Sequence, residues 1–512
     1  MDHFRHRRLI NQMPAREKPS IAIIGAGVGG IAMGVRLKSL GINTFTIFDS
    51  EGGLGGTWRV NTYPGASVDV ESALYSFSFH DHNWSGTHAE QGEVLTYLED
   101  VAQAHDLTEH FRFSTRVTSV RWLEEGQGYV LTTGGGEEHF FNIIVSAVGF
   151  LSDPAIPSLA GIEQFRGEMF HTARWDHRVD VTGKRVAIVG TGSTSVQVVP
   201  ALAPSVEQLY VFQREPGWIL PRGDRRYTAA ELKKYENRTY RRLRRWRAFL
   251  RMEWGYIGRP VYDAGSRRNL KARARALEYI EASFGDRDDL KKAVTPAYPF
   301  SGKRRILSDD FYPALLRKNV ELVPHPVTRV TENGVIDATG VERAVDILVL
   351  ATGFKASQYL SRLKVFGRDG RDLHEVWREG AFALLGMSLH GFPNFYMLYG
   401  PNTNGAGGPI TWNSEQQAGW IARDVRRMMR RGYTTIETKP SYVTKYNDWL
   451  QARLRRTVWA ESNNYMKAPS GRIVTQFHGG MMLQWLLLRI LRVPSSVGSS
   501  AGNLSNSISE QR

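Results

Sequence analysis

At 512 residues, 42% of them hydrophobic and 23% charged, the chain is too long for one core and too apolar to be disordered, so two or three folded domains are expected. It contains no cysteine, which excludes disulfides, thiolate metal sites, iron–sulfur clusters and thiol nucleophiles. A formal net charge of +15 raises nucleic acid and acidic membrane lipid as partners, while no apolar run is long enough to span a bilayer.

Residues 1–19 are a basic extension without the apolar stretch that a secretory signal needs, and with the missing cysteines they favour a cytoplasmic protein. From Ser20 the sequence passes from an apolar run through Gly25-Ala26-Gly27-Val28-Gly29-Gly30 into an amphipathic helix ending near Gly41, then into a second apolar run, TFTIF. That is a βαβ opening with GxGxxG at its turn. Gly25 permits the tight turn, Gly27 lets a pyrophosphate reach the backbone, and Gly30 lets helix pack on strand. Asp49, at the end of the next strand, suits the two hydroxyls of an adenosine ribose.

A second opening, KRVAIVGTGSTSVQVVPALA, carries Gly190-Thr191-Gly192-Ser193-Thr194-Ser195, with Ser195 in place of the third glycine. Arg214 stands at the same spacing from Gly190 as Asp49 does from Gly25. A carboxylate there favours a bare ribose and an arginine a 2′-phosphate, so the first loop suits FAD and the second NADPH.

Two buried-strand patterns resemble each other, NIIVSAVGF at 142–150 and DILVLATGF at 346–354, and suggest that the chain leaves the first fold near 150 and returns to it near 350. The domains are then read as 20–155 and 346–480 for the first fold, 156–180 for a linker and 181–345 for the second fold. A helical insertion falls at about 221–299, and 481–512 are a C-terminal helix with a disordered tail. The fold class is α/β, with two Rossmann-like domains, one inserted in the other. The arginine cluster from Arg241 to Arg251 reads as a solvated basic helix face. Met481–Arg492 reads either as a terminal helix docked on the core or as one lying in a membrane interface.

Nested dinucleotide folds occur in flavin disulfide reductases and in flavin monooxygenases; the former need a cysteine pair, which this chain lacks. The segment with Phe165, Gly167, His171, Trp175 and Asp176 matches FxGxxxHxxxW followed by P or D, and Gly55, Gly56, Trp58, Tyr63, Pro64, Gly65 and Asp69 match GGxWxxxx(F/Y)PGxxxD. In these motifs the chain resembles the Baeyer–Villiger monooxygenases over roughly residues 20 to 400.

The resemblance implies that Gly56, Thr57 and Trp58 pack by the flavin, that Lys303 assists the 2′-phosphate, and that Arg304 is the catalytic arginine, held in position by Asp69. Arg305 is the competing choice, set aside by the spacing from Tyr298. His171 is read equally as a linker residue or as one with a direct chemical role. The family's SWYxxxxGR segment is represented by Ser462 to Tyr465 and Gly471-Arg472, without the tryptophan. The implied reaction takes a ketone, dioxygen and NADPH to an ester or lactone through a C4a-peroxyflavin. The alternatives are an N- or S-oxygenating flavin monooxygenase, acting on sulfides for example, and a basic nucleic-acid or membrane-surface binding module. Nucleic acid is not expected as a partner of the enzyme.

Overall fold

The computed structural model describes residues 18–256, 260–405 and 408–500. Of the basic extension, all but Lys18 and Pro19 lies outside that range.

The first fold opens on β1 (Ile21–Ile24), whose four apolar residues are all buried, as a strand covered on both faces requires. It continues through α1 (Val28–Lys38), β2 (Phe45–Phe48), β3 (Phe111–Arg112) and β4 (Ile143–Ser146). A second set follows with β5 (Glu168–His171), β6 (Arg185–Val189), α2 (Ser195–Leu202) and β7 (Gln208–Phe212). Helices intervene, chiefly α3 (Arg238–Trp254) and α4 (Arg267–Phe284), before β8 (Val320–Val323) and β9 (Ile347–Leu350). The last elements that concern the site are β10 (Phe395–Met397), α5 (Ile410–Arg431), β11 (Thr435–Thr438), α6 (Met481–Ile490) and β12 (Ser496–Ser499).

These strands form two five-stranded parallel sheets, in the orders β10-β4-β1-β2-β3 and β8-β7-β6-β9-β5. Each has its glycine turn at the C-terminal end of a central strand, where ligands of open α/β sheets bind. α1 is almost entirely apolar because it is covered twice, by its own sheet and by α5, in the largest core of the molecule.

Two sequence expectations are corrected here. Residues 347–350 do not return to the first fold: β9 runs parallel to β6, with Ile347 opposite Val186, and closes the second sheet together with β5. The chain rejoins the first sheet only at β10, which pairs with β4. β4 and β9 look alike because each supplies the same neighbour to its own glycine turn. A Cβ on Gly25 would meet the Ala147 carbonyl oxygen at 2.6 Å, and one on Gly190 would meet that of Ala351 at 2.6 Å. The segment expected to be a linker likewise contributes β5 to the second sheet.

The tail is also ordered further than its composition suggests, because β12 pairs antiparallel with β11. Its start is tied down at Asp424, which accepts hydrogen bonds from Trp420 and Arg492. Residues 501–512 of the expected tail lie outside the described residues. Among the described residues, no helix is long and apolar enough to cross a membrane.

Candidate active site

The first glycine turn builds a cradle from backbone alone. Gly25 has φ +112°, and its N–H donates to the Phe48 carbonyl at 2.7 Å. A Cβ on Gly30 would lie 1.9 Å from the Gly25 carbonyl oxygen, so α1 can sit this close only with glycine there. Gly27 faces the backbone of Gly56 across the cradle, where a Cβ on Gly56 would come within 2.9 Å of the Gly27 Cα. Both Asp49 oxygens accept backbone N–H groups, from Ala26 at 2.6 Å and from Glu51 at 2.9 Å. Burial raises the Asp49 carboxyl above its ordinary value, and those two hydrogen bonds oppose the shift.

Gly25, Gly27, Asp49, Gly56, Thr57 and Trp58 line one cavity of about 390 Å³. The bare glycine backbone and the carboxylate at the strand end fit the diphosphate and ribose of FAD.

A second cavity of about 890 Å³ shares a wall with the first: Thr57, Trp58, Tyr75, Phe150, Phe354 and Tyr399 border both. Trp58 is buried and its indole N–H donates to the Tyr75 hydroxyl at 2.9 Å, while burial pushes the Tyr75 phenol up to about 12. Ser193, Thr194, Gln197, Lys303, Arg304 and Arg305 also line this cavity.

Arg304 Nη2 donates to Asp69 Oδ2 at 2.8 Å. The guanidinium lies deep in the molecule, yet its side chain is 44% accessible because it borders the cavity. Burial works against its charge. Asp69, together with the nearby phenols of Tyr465 and Tyr399, more than offsets that cost and holds the arginine above its ordinary pKa. For Arg305, burial and the charge of Arg304 win over its tyrosine neighbours and lower the pKa.

Asp69 is held within the loop that carries the GGxWxxxx(F/Y)PGxxxD motif, and that loop packs on α2 of the second fold. Gly65 has φ +81°, and a Cβ there would lie 2.6 Å from the Gln197 carbonyl oxygen. The Gln197 side chain accepts from the Tyr63 hydroxyl at 3.0 Å and donates to the Ser67 carbonyl at 3.1 Å. Burial pushes the Tyr63 phenol up to about 12, so it stays the donor. Replacing Gln197 by alanine removes its hydrogen bonds to both Tyr63 and Ser67, and should lower stability by about 1–2 kcal/mol, read as a fall in the urea midpoint. An unchanged midpoint would show that this link contributes nothing.

The second glycine turn is placed differently. Gly190 has the same φ as Gly25, +112°, and its N–H donates to the Phe212 carbonyl at 2.9 Å. Ser193 and Thr194 reach the second cavity, whereas Gly190, Thr191 and Gly192 stand outside its lining. Ser195 is wholly buried, and its Oγ has no hydrogen-bond partner among the described residues. Arg214 is exposed just beyond β7 and makes no ion pair among the described residues. Glu215, the next residue, pairs with Lys303.

His171 is buried and its Nδ1 accepts the Ala173 N–H at 3.0 Å, capping a short turn after β5. Burial lowers its pKa and favours the neutral ring. The Ser462 to Tyr465 segment packs against the arginine loop, where Asn464 Nδ2 donates to the Gly302 carbonyl at 3.0 Å. Sequence reading passed over Gln197 and Tyr399. Tyr399 holds φ +56°, donates its hydroxyl to Asn404 at 2.7 Å and separates the two cavities. A left-handed tyrosine leaves no local pattern, although its place in LYGPNTNG, between a strand and a glycine, is the one signal available.

The family described as flavin-binding monooxygenase-like matches residues 18–361. A Baeyer–Villiger monooxygenase of Pseudomonas aeruginosa is 37% identical over 469 residues, covering 90% of this chain and 87% of that protein. Among solved structures, an oxidized steroid monooxygenase bound to NADP is similar with a TM-score of 0.85 and 31% identity, covering 95% of this chain and 100% of the other. Cyclohexanone monooxygenase from Rhodococcus sp. Phi1 bound to NADP+ is similar with a TM-score of 0.85 and 30% identity, covering 94% of this chain and 99% of the other.

Proposed function

The chain belongs to the flavin-binding monooxygenase-like family and, within it, to the Baeyer–Villiger monooxygenases, and from that premise we propose which of its residues carry the reaction. It is an FAD-containing, NADPH-dependent monooxygenase that inserts one oxygen atom next to a ketone carbonyl to give an ester or lactone. Bound in the two folds, the flavin supplies the redox and oxygen chemistry and NADPH the hydride.

The observation that carries the site assignment is the Arg304–Asp69 pair in the wall of the larger cavity. A guanidinium stays charged in any protein environment, so Arg304 offers a fixed cation where negative charge gathers on oxygen during ketone attack. Asp69 positions it, and the motif loop ties Asp69 to α2 through Gln197. Gly25, Gly27, Gly30, Asp49, Gly56, Thr57 and Trp58 hold FAD. Gly190 to Ser195, Arg214 and Lys303 hold NADPH. N- or S-oxygenation needs no such cation, which is why the pair favours a ketone. A panel of ketones and sulfides assayed by product mass tests this; sulfoxides without any ester or lactone would overturn it.

Arg214 is assigned to the 2′-phosphate because it stands just beyond β7, at the same spacing from Gly190 as Asp49 from Gly25, and Lys303 because the family resemblance implies it. A hydrogen bond to a charged group contributes about 1.5–3 kcal/mol, so Arg214→Ala should weaken NADPH roughly 10- to 150-fold and NADH little. Equal weakening of both coenzymes would make the arginine structural.

The proposal places the enzyme in the cytoplasm, with a ketone and dioxygen as its small-molecule partners and no nucleic acid. It includes peripheral membrane contact through α6, which buries Met481 and Leu488 on the core and leaves Met482, Leu486 and Ile490 exposed.

A further inference from the structure

α3 carries apolar residues that its own fold does not use. Leu243, Trp246, Leu250 and Trp254 recur at helical spacing, and Trp246, Leu250 and Trp254 are 61%, 59% and 69% exposed. The opposite side of the helix lines the larger cavity through Ala248 and Met252, so the stripe is not a wall of the site. Exposed Arg242 and Arg247 flank it without an ion pair among the described residues.

The stripe adjoins a second one. Glu253, near the end of α3, accepts the N–H of Met481 at 2.9 Å and of Met482 at 3.3 Å, which caps the start of α6. From that junction Met482, Leu486 and Ile490 run along the outer side of α6, accompanied by exposed Arg489, whose guanidinium lies 4.4 Å from the Trp485 ring centroid. The one acidic residue of the two helices is Glu253, and it is engaged in this cap.

We propose that α3 and α6 together form a docking face for an anionic lipid bilayer. The inference deepens the α6 contact put forward above and rests on it, but it assigns the larger share to α3. Tryptophan and leucine suit the boundary between headgroups and acyl chains, while arginines beside them reach anionic headgroups. Nucleic acid would set phosphates against the leucines. A second copy of the chain would set arginines against arginines, in a molecule already at +15. A bilayer satisfies both the apolar stripe and the charge around it.

The test is vesicle flotation of the full-length, FAD-loaded enzyme with neutral phosphatidylcholine, and with phosphatidylcholine in which about one third of the lipid is phosphatidylglycerol. Flotation is expected with the anionic vesicles only, falling as salt is raised. Trp246→Ser with Trp254→Ser should lower it about tenfold or more, and Leu486→Ser with Ile490→Ser by less. All four side chains are outside the cavities, so FAD content and ketone turnover in free solution should stay at the unmodified level and show that the variants are folded. No flotation of the unmodified enzyme on anionic vesicles overturns the proposal. So does a Trp246/Trp254 variant that floats normally, and if the α6 variant alone then fails to float, the contact belongs to α6. Loss of ketone turnover in every form, including the unmodified one, would count against the oxygenation reading and leave the flotation result standing.

Discussion

Arg304→Ala is expected to fold, bind FAD and accept hydride from NADPH, yet to release almost no ester or lactone. Hydride delivery creates no negative charge on oxygen, so it does not need the guanidinium. Attack on the ketone does. Losing one preorganised donor at such a place typically costs about 10²–10³ in rate, and this donor carries a full charge that Asp69 and the surrounding phenols keep in place. NADPH consumption should therefore continue, with the electrons leaving as hydrogen peroxide, and the measurement is ester formed and peroxide released per NADPH oxidised. Asp69→Ala should lower the ester yield less, because the cation remains and loses only its anchor at 2.8 Å. Normal ester yield from Arg304→Ala would remove the arginine from the mechanism and transfer the question to Arg305.

Gly30→Ala should cost the protein its flavin. The added Cβ would meet the Gly25 carbonyl oxygen at 1.9 Å, a backbone contact with no flexible side chain to give way. Either α1 shifts away from β1 or the turn opens, and both change the cradle that Gly27 and Gly56 share. Overpacking a well-filled core costs about 1–3 kcal/mol, and here the strain falls on the binding loop itself. The variant should purify with little absorbance at the flavin wavelengths and a lowered melting temperature. Circular dichroism after FAD is added back separates lost binding from lost fold. The matching change in the second fold, Ser195→Gly, should be mild, because that turn already accommodates a Cβ. Gly30→Ala retaining one FAD per chain at the unmodified stability would overturn the argument.

These two changes also show how unevenly the site can be read from residues alone. The glycine turns and the contrast between Asp49 and Arg214 lie within short stretches, where spacing along the chain determines position in space. The arginine pair is harder. Arg304 and Arg305 are neighbours just ahead of a short strand, where successive side chains in extended backbone point to opposite sides; only the spacing from Tyr298 favours Arg304, the residue whose guanidinium pairs with Asp69. Gln197 and Tyr399 were passed over because their contacts join segments that no local pattern connects.

By itself, the sequence determined the α/β class, the two dinucleotide folds, the family and the two cofactors. The class, the folds and the cofactors follow from local rules: apolar runs that must be covered, glycines whose missing Cβ permits a close approach, and an acid or a base at a strand end; the family rests on the resemblance of two longer motifs. Tertiary structure alone decided which sheet receives residues 347–350 and that the tail pairs with Thr435–Thr438. It also decided that the motif loop joins the two folds through α2, where the Gln197 side chain reaches the Ser67 carbonyl. The reason is that a buried parallel strand has the same apolar pattern in either sheet. Only the register of its hydrogen bonds with a distant partner, set when the cores close, tells the two apart.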